Sequence, residues 1–387
     1  MPIIDRVAEL QPDIQAWRRD LHAHPEVMYD LPRTAGFVAE KLRAFGCDEV
    51  VEGIGRTGVV GVIKGRHPGK SVIGLRADMD ALPIEEQTNL AYASKTPGKM
   101  HACGHDGHTA MLLGAAQYLA ETREFAGTAV VIFQPAEEGG AGALAMIKDG
   151  LMERFGIQQV YGMHNGPGLP VGSFAMRPGA IMAAMDRIVI TIDGVGGHAA
   201  YPHLTIDPVL VGSQLVVALQ GIVSRNVDPL ESAVLSICMF HAGDASNVIP
   251  ASAELKGTVR SLKGEVRDLM EKRMNEVCAG VAQQTGARIA LSYDRGYPVV
   301  MNHPAETGMA ATVAGQIAGN AQVDTNMVPI MGAEDFAYML EARPGAFIFI
   351  GNGDSAGLHH PAYNFNDEAL VYGASYWATL VETTLAA

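Results

Sequence analysis

Apolar residues recur at helical spacing near the start of the chain, at Val7, Leu10, Ile14, Trp17 and Leu21, and Pro25 closes that helix just after His22-Ala-His24. A second helix is expected over residues 33–45, ended by Gly46, followed by strands over 58–63 and 71–76. Met111, Leu112, Ala115, Leu119 and Ala120 trace a further helix, the β-branched run 128–133 reads as a strand, and 346–351 reads as another. Around residue 185 the texture changes. Strand 187–193, helix 207–225, strands 233–242 and 253–262, helix 265–284 and strand 288–294 follow in the order βαββαβ, the ferredoxin-like pattern. The helix over 207–225 is apolar almost all round and is expected to bury a second face in another chain or domain.

This pattern predicts an α/β protein with an inserted domain over 186–296. Residues 1–185 and 297–387 would then form one discontinuous domain, as they must if the late histidines join a cluster formed earlier in the chain. A chain of 387 residues, 48% hydrophobic, can bury cores of that size. Acidic residues outnumber basic ones 42 to 28, for a net charge of −14, which argues against nucleic acid and anionic membranes as partners. The run 208–223, interrupted by Gly212, Ser213, Gln214 and Gln220, is expected to be too short and too polar to span a bilayer. Four cysteines without paired spacing, and an N-terminus without an apolar core, point to a reducing, cytoplasmic setting.

The densest chemistry is Lys99-Met-His-Ala-Cys-Gly-His-Asp-Gly-His108, a thiol and three imidazoles where a loop enters a helix. Cys103 and His105 are ligands of the kind that hold zinc, cobalt, nickel or manganese, and Gly104 lets the backbone turn between them. Asp78 and Asp80 end one strand, Glu137 and Glu138 follow another before Gly139-Gly140, and His164 ends a third. Strand ends of this kind are where open α/β sheets place ligands. Adjacent carboxylates beside metal ligands suggest one ligand and one proton-transfer base. The His22-x-His24 pair follows a helix and reads as structural. In the insert, Gly194-Val-Gly196-Gly-His198-Ala mimics a dinucleotide fingerprint, but Pro202 breaks the helix that must receive a pyrophosphate. What remains is a Gly-rich loop presenting His198, with Asn247 and Arg260 as further exposed polar candidates.

Arg-Arg-Asp-Leu-His-Ala-His-Pro-Glu, Arg-Ala-Asp-Met-Asp-Ala-Leu-Pro, Met-His-Ala-Cys-Gly-His-Asp-Gly-His, Gln-Pro-Ala-Glu-Glu-Gly, Gly-Gly-His-Ala-Ala-x-Pro-His, Asn-Val-Ile-Pro and Gly-Ala-Glu-Asp-Phe occur in that order across nearly the whole chain. Together they resemble the M20 metallopeptidase family, and within it the branch of amidohydrolases that includes hippurate and indole-acetyl-amino-acid hydrolases. The resemblance implies a zinc-peptidase-like catalytic domain holding two divalent metal ions, with a smaller dimerisation domain inserted into it. It makes Cys103, His105, Glu138, His164 and His359 the ligands, Glu137 the general base and Asp80 a further catalytic residue. His198 becomes an oxyanion donor, acting from the partner chain of a homodimer or dimer of dimers, and Asn247 or Arg260 would hold the substrate carboxylate. His360 stands where other members carry Ser or Asn, and Asp78 where other branches carry His. Cys103 stands near their bridging Asp, and a thiolate there shifts the preference toward softer ions. The expected reaction is hydrolysis of an N-acyl-amino acid. The alternatives are a dipeptidase, a deacetylase of an acetylated diamino acid, and a non-catalytic metal-binding homologue.

Overall fold

The computed structural model describes residues 3–387, and the chain folds as two units. Among the described residues, the first comprises residues 3–181, 301–328 and 335–387, the second residues 182–300 and 329–334.

The first unit is built on an eight-stranded mixed sheet. Its centre is four parallel neighbours in the order Ala126–Gln134, His67–Asp78, Gln159–Gly166 and Gly345–Gly351. Strands Ala126–Gln134 and Gly345–Gly351 are apolar nearly throughout and buried along almost their whole length, as expected for parallel strands covered on both faces. Helices Gln11–Ala23, Pro32–Ala44, His105–Thr122, Pro304–Ala318 and Ala369–Thr384 contribute to the same core, which includes Ile14, Val38, Leu112, Val313 and Trp377. Parallel pairing turns all four central strands the same way, so the chain leaves the sheet on one side after Asp78, Gln134, Gly166 and Gly351. Helix His105–Thr122 lies in the crossover between His67–Asp78 and Ala126–Gln134, so its first turn arrives at that same edge.

The second unit has the order Ala184–Asp193, Pro208–Arg225, Ala233–His241, Ser252–Ser261, Gly264–Thr285 and Arg288–Arg295, which is βαββαβ. Its sheet is antiparallel, ordered Ala233–His241, Ser252–Ser261, Ala184–Asp193, Arg288–Arg295. Ile188, Ile190 and Ile192 alternate into the core and meet Val211, Leu215, Leu219 and Ile222 of one helix and Met270 and Met274 of the other. The unit begins before residue 186 and takes in a late return of the chain. Ala183 N–H donates to the Gly332 carbonyl at 2.9 Å and Met182 bridges Ile330, so Pro329–Glu334 belongs with the insert. Backbone pairing between segments so far apart in sequence leaves no trace in local periodicity.

Helix Pro208–Arg225 starts at Asp207, whose side chain accepts from Val209 N–H at 2.9 Å, with Pro208 in the first turn. Contrary to the sequence expectation, its 18 residues are long and apolar enough, by length and composition, to cross a membrane. Val211, Leu215, Leu219 and Ile222 are instead committed to the unit's own core. Val209, Leu210 and Val217 on the remaining surface are exposed.

Candidate metal centre

The parallel edge of the first sheet gathers the candidate ligands. His105 opens its helix after Gly104, whose φ of +92° makes the turn from Cys103. Glu137 and Glu138 begin a kinked turn, Glu137–Gly140, after Ala136 in the left-handed region at φ +53°. His164 lies two residues before the end of strand Gln159–Gly166. His359, also left-handed at φ +63°, sits on the loop after Gly345–Gly351, its N–H bonded to the Ala102 carbonyl at 2.7 Å.

These side chains converge. Cys103, His105 and His164 present ligand atoms within 4.8 Å of one another, and so do Cys103, Glu138 and His359. Cys103 therefore belongs to two triads at once. Its Sγ is 3.4 Å from His164 Nε2, while Glu138 Oε1 is 3.3 Å from His359 Nε2 and 3.9 Å from His105 Nε2. His105, Glu137 and Glu138 form a further group of the same dimensions.

Backbone carbonyls set the histidine tautomers. His105 Nδ1–H donates to the Asp80 carbonyl at 2.7 Å and His164 Nδ1–H to the Asn165 carbonyl at 2.8 Å. A carbonyl only accepts, so each ring keeps its proton on Nδ1 and turns Nε2 toward the cluster. His105 Nε2 and Glu138 Oε1 are buried there without a hydrogen-bond partner. A buried ring nitrogen without a hydrogen-bond partner beside a buried carboxylate is costly unless a cation, proton or metal ion, sits between them, so this donor set fits a divalent ion.

The electrostatics agree. Burial opposes a charged His105, yet Asp78, Asp80 and Glu138 outweigh it and raise the imidazole to about 10. Burial, together with Glu138, Glu137 and Asp78, pushes the Cys103 thiol well up, and burial pushes His164 down. The cluster thus has more buried negative charge than its own cations compensate, and a metal ion reverses the preference of thiol and imidazole for their protons.

Asp80 does not reach into the cluster as a free carboxylate. Its oxygens accept from Glu137 N–H at 2.9 Å and Glu138 N–H at 3.2 Å, fixing the turn that aims both glutamates. Glu137 is buried, and its Oε1 accepts from Asp335 N–H at 3.4 Å.

In the second unit, His198 is not on an open loop. It lies in the two-residue strand Gly197–His198, paired with Val248–Ile249, and Ala199 N–H donates to the Asn247 carbonyl at 3.1 Å. His198 and Asn247 are therefore neighbours, and both are exposed. Arg260 was expected to be exposed; it is half-buried on the sheet, opposite Met185 and Val234, because its strand is central.

Sequence reasoning missed the layer beneath the ligands. Arg76 is completely buried and donates to Gln134 at 2.8 Å, Asp78 at 2.7 Å and Asp335 at 3.1 Å. Asp335 also accepts from Gln134 Nε2 and from Ala143 N–H at 2.9 Å. An arginine in the apolar run 72–77 was the available signal, since a charge at such a position must be paired.

Residues 74–383 match the family model described as Peptidase family M20/M25/M40. The chain is 46% identical to hippurate hydrolase of Campylobacter jejuni over 383 residues, 98% of each protein. It is 42% identical to N-acetylcysteine deacetylase of Bacillus subtilis, covering 95% of this chain and 96% of that one. Among solved structures it superposes on a dinuclear metal-binding peptidase of the M20 family from Bacillus subtilis with a TM-score of 0.85 at 37% identity, over 98% and 99% of the two chains. The protein is a metal-dependent amidohydrolase. It belongs to the M20 family.

Proposed function

We propose that the protein hydrolyses the amide bond of N-acyl-amino acids to a carboxylic acid and a free amino acid, using two divalent ions held by Cys103, His105, Glu138, His164 and His359. The observation that carries this reading is a thiol shared by two ligand triads, with the unpartnered His105 Nε2 buried beside them. Two relatives named for N-acylated amino acids, hippurate and N-acetylcysteine, support the substrate class. Bound ions supply Lewis-acid polarisation of the scissile carbonyl and acidify water.

The chain's own residues supply the rest. Glu137 takes a proton from the attacking water as its oxygen bonds to the carbonyl carbon, then delivers it to the amine as the C–N bond breaks. Asp80 acts by holding the backbone of Glu137 and Glu138. His198 donates to the developing oxyanion, and Asn247 or Arg260 holds the free carboxylate of the amino acid. The thiolate favours the softer candidates among zinc, manganese, cobalt and nickel. We further propose a homodimer joined through the second unit, in which His198 serves the partner's centre; the exposed Val209, Leu210 and Val217 support it. A cytoplasmic location keeps the Cys103 thiol reduced.

The decisive experiment strips the protein with chelator, reconstitutes it separately with the four metals, and assays benzoyl-, acetyl- and aminoacyl-amino acids. Acyl substrates should turn over only after metal is restored. Preference for aminoacyl substrates would select the dipeptidase reading, and preference for an acetylated diamino acid the deacetylase reading. Full turnover by protein shown metal-free by elemental analysis would overturn the proposal.

A further inference from the structure

His108 carries the last of the three imidazoles between Lys99 and His108, and the reaction above leaves it without a task. It is buried, and with Asp78 and His105 it forms a group of metal-ligand dimensions. Its hydrogen bonds exclude it as a ligand. Asn165 N–H donates to His108 Nε2 at 3.0 Å; a backbone N–H only donates, so the ring proton is on Nδ1, which lies 2.6 Å from Asp78 Oδ1. Both ring nitrogens are committed.

The contacts extend in both directions. Asp78 accepts from Arg76 Nη1 at 2.7 Å through its other oxygen, and its backbone carbonyl accepts from Thr109 Oγ1 at 2.9 Å. Asn165, at the far end, is the residue whose carbonyl fixes the His164 ring. Its side chain donates to the Cys103 carbonyl at 3.1 Å and exchanges hydrogen bonds with the Tyr363 hydroxyl. A single residue therefore holds the backbone of one candidate ligand and the ring of another, and His108 holds that residue's N–H.

We propose that His108 is a positioning residue for the metal centre: carried on Asp78 and Arg76, it fixes Asn165, and through Asn165 it presets the Cys103 thiolate and the His164 imidazole for the metal ions. The inference rests on the reading that Cys103 and His164 are ligands. Apart from a neutral imidazole of fixed tautomer, few side chains of this size accept from a backbone N–H at one end and donate to a carboxylate at the other. Outer contacts of this kind hold ligand orientation, and their loss costs roughly 10–100-fold in metal affinity.

The test titrates metal-free protein with cobalt(II), measuring affinity by chelator competition and recording the thiolate-to-cobalt charge-transfer band, well below the melting temperature. His108→Phe should keep the far-ultraviolet circular dichroism of the parent, bind cobalt roughly 10–100-fold more weakly and show a shifted or weakened band. His108→Gln, which retains a donor and an acceptor, should recover part of both. A merely structural histidine would lower the melting temperature but leave the band of the folded protein unmoved. Cobalt affinity within twofold of the parent and an unchanged band for His108→Phe overturn the proposal. If the phenyl ring prevents folding, His108→Met is read by the same thresholds. Cys103→Ala and His164→Ala run alongside: if these two also leave affinity and band unchanged, the ligand assignment fails. If they abolish both while His108→Phe does not, the positioning role alone fails.

Discussion

Gly104 shows how narrowly one residue can be specified. Its φ of +92° already disfavours any L side chain, and a Cβ added there would lie 2.4 Å from Asn165 Nδ2 and 2.6 Å from the Tyr363 hydroxyl oxygen. Gly104→Ala should therefore lower the unfolding free energy by at least about 1 kcal/mol from the left-handed backbone alone. It should also displace the Asn165–Tyr363 pair and reduce bound metal, as measured by denaturation and elemental analysis. The adjacent glutamates divide differently. Glu137→Gln should keep its metal and lose turnover by roughly 10²–10⁴-fold, because an amide cannot carry the proton. Glu138→Gln should lose metal first, since Glu138 Oε1 faces both His105 and His359. Equal, modest losses in both variants with metal retained would refute the assignment of the base.

Among the elements, helix Gln11–Ala23 is tied to the head of helix His105–Thr122 by buried charge. Asp106 Oδ2 is ion-paired with Arg18 Nε at 2.9 Å and hydrogen-bonded to His22 Nδ1 at 2.8 Å, while His22 Nε2 lies 3.3 Å from Glu86. Burial works against a charged His22, but its hydrogen bond and attraction to Asp106 and its hydrogen bond to Glu86 outweigh that, so its pKa is raised above the ordinary 6.5. Burial likewise opposes a charged Glu86, yet bonds from His22, Thr88 and Ser94 hold it below 4.5. A raised imidazole contributes stability that is complete below the unfolded value and lost as pH rises through the folded one. A depressed carboxyl contributes stability present above its unfolded value and lost as pH falls through the folded one. The tie should therefore be strongest between about pH 4.5 and 6.5. The metal-free protein should lose stability as pH rises above 6.5 more steeply than His22→Gln does; parallel melting curves on that alkaline side would exclude His22 as the source.

For the whole molecule, the open question is whether one chain makes a complete centre. Helix Pro208–Arg225 spends Val211, Leu215, Leu219 and Ile222 on its own core and still exposes Val209, Leu210 and Val217, more apolar surface than a helix facing only solvent carries. Glu137→Ala and His198→Ala should each be inactive. After subunit exchange, the mixed dimer should regain hydrolysis if His198 acts in trans, because one of its centres then has both residues intact. Proven exchange without recovered activity would rule out the trans arrangement, and a monomer in sedimentation would remove its premise.

By itself the sequence determined what depends on nearby residues. The β-branched run 128–133 marked a central strand, and the order of elements from residue 187 to 294 specified the βαββαβ unit, because periodicity reports which face of an element is buried. The Cys103–His108 segment was conspicuous for the same local reason. Only the tertiary structure decided what pairs across the chain. Arg76 meets Asp335 at a separation of 259 residues, Pro329–Glu334 returns to the insert, and His108, in sequence only one of three imidazoles in the dense segment, has both nitrogens taken by Asp78 and Asn165. Whether a buried polar group binds metal, shuttles a proton or holds its neighbour depends on which donors and acceptors face it. Residue spacing does not carry that information; the packing of the parallel strands does.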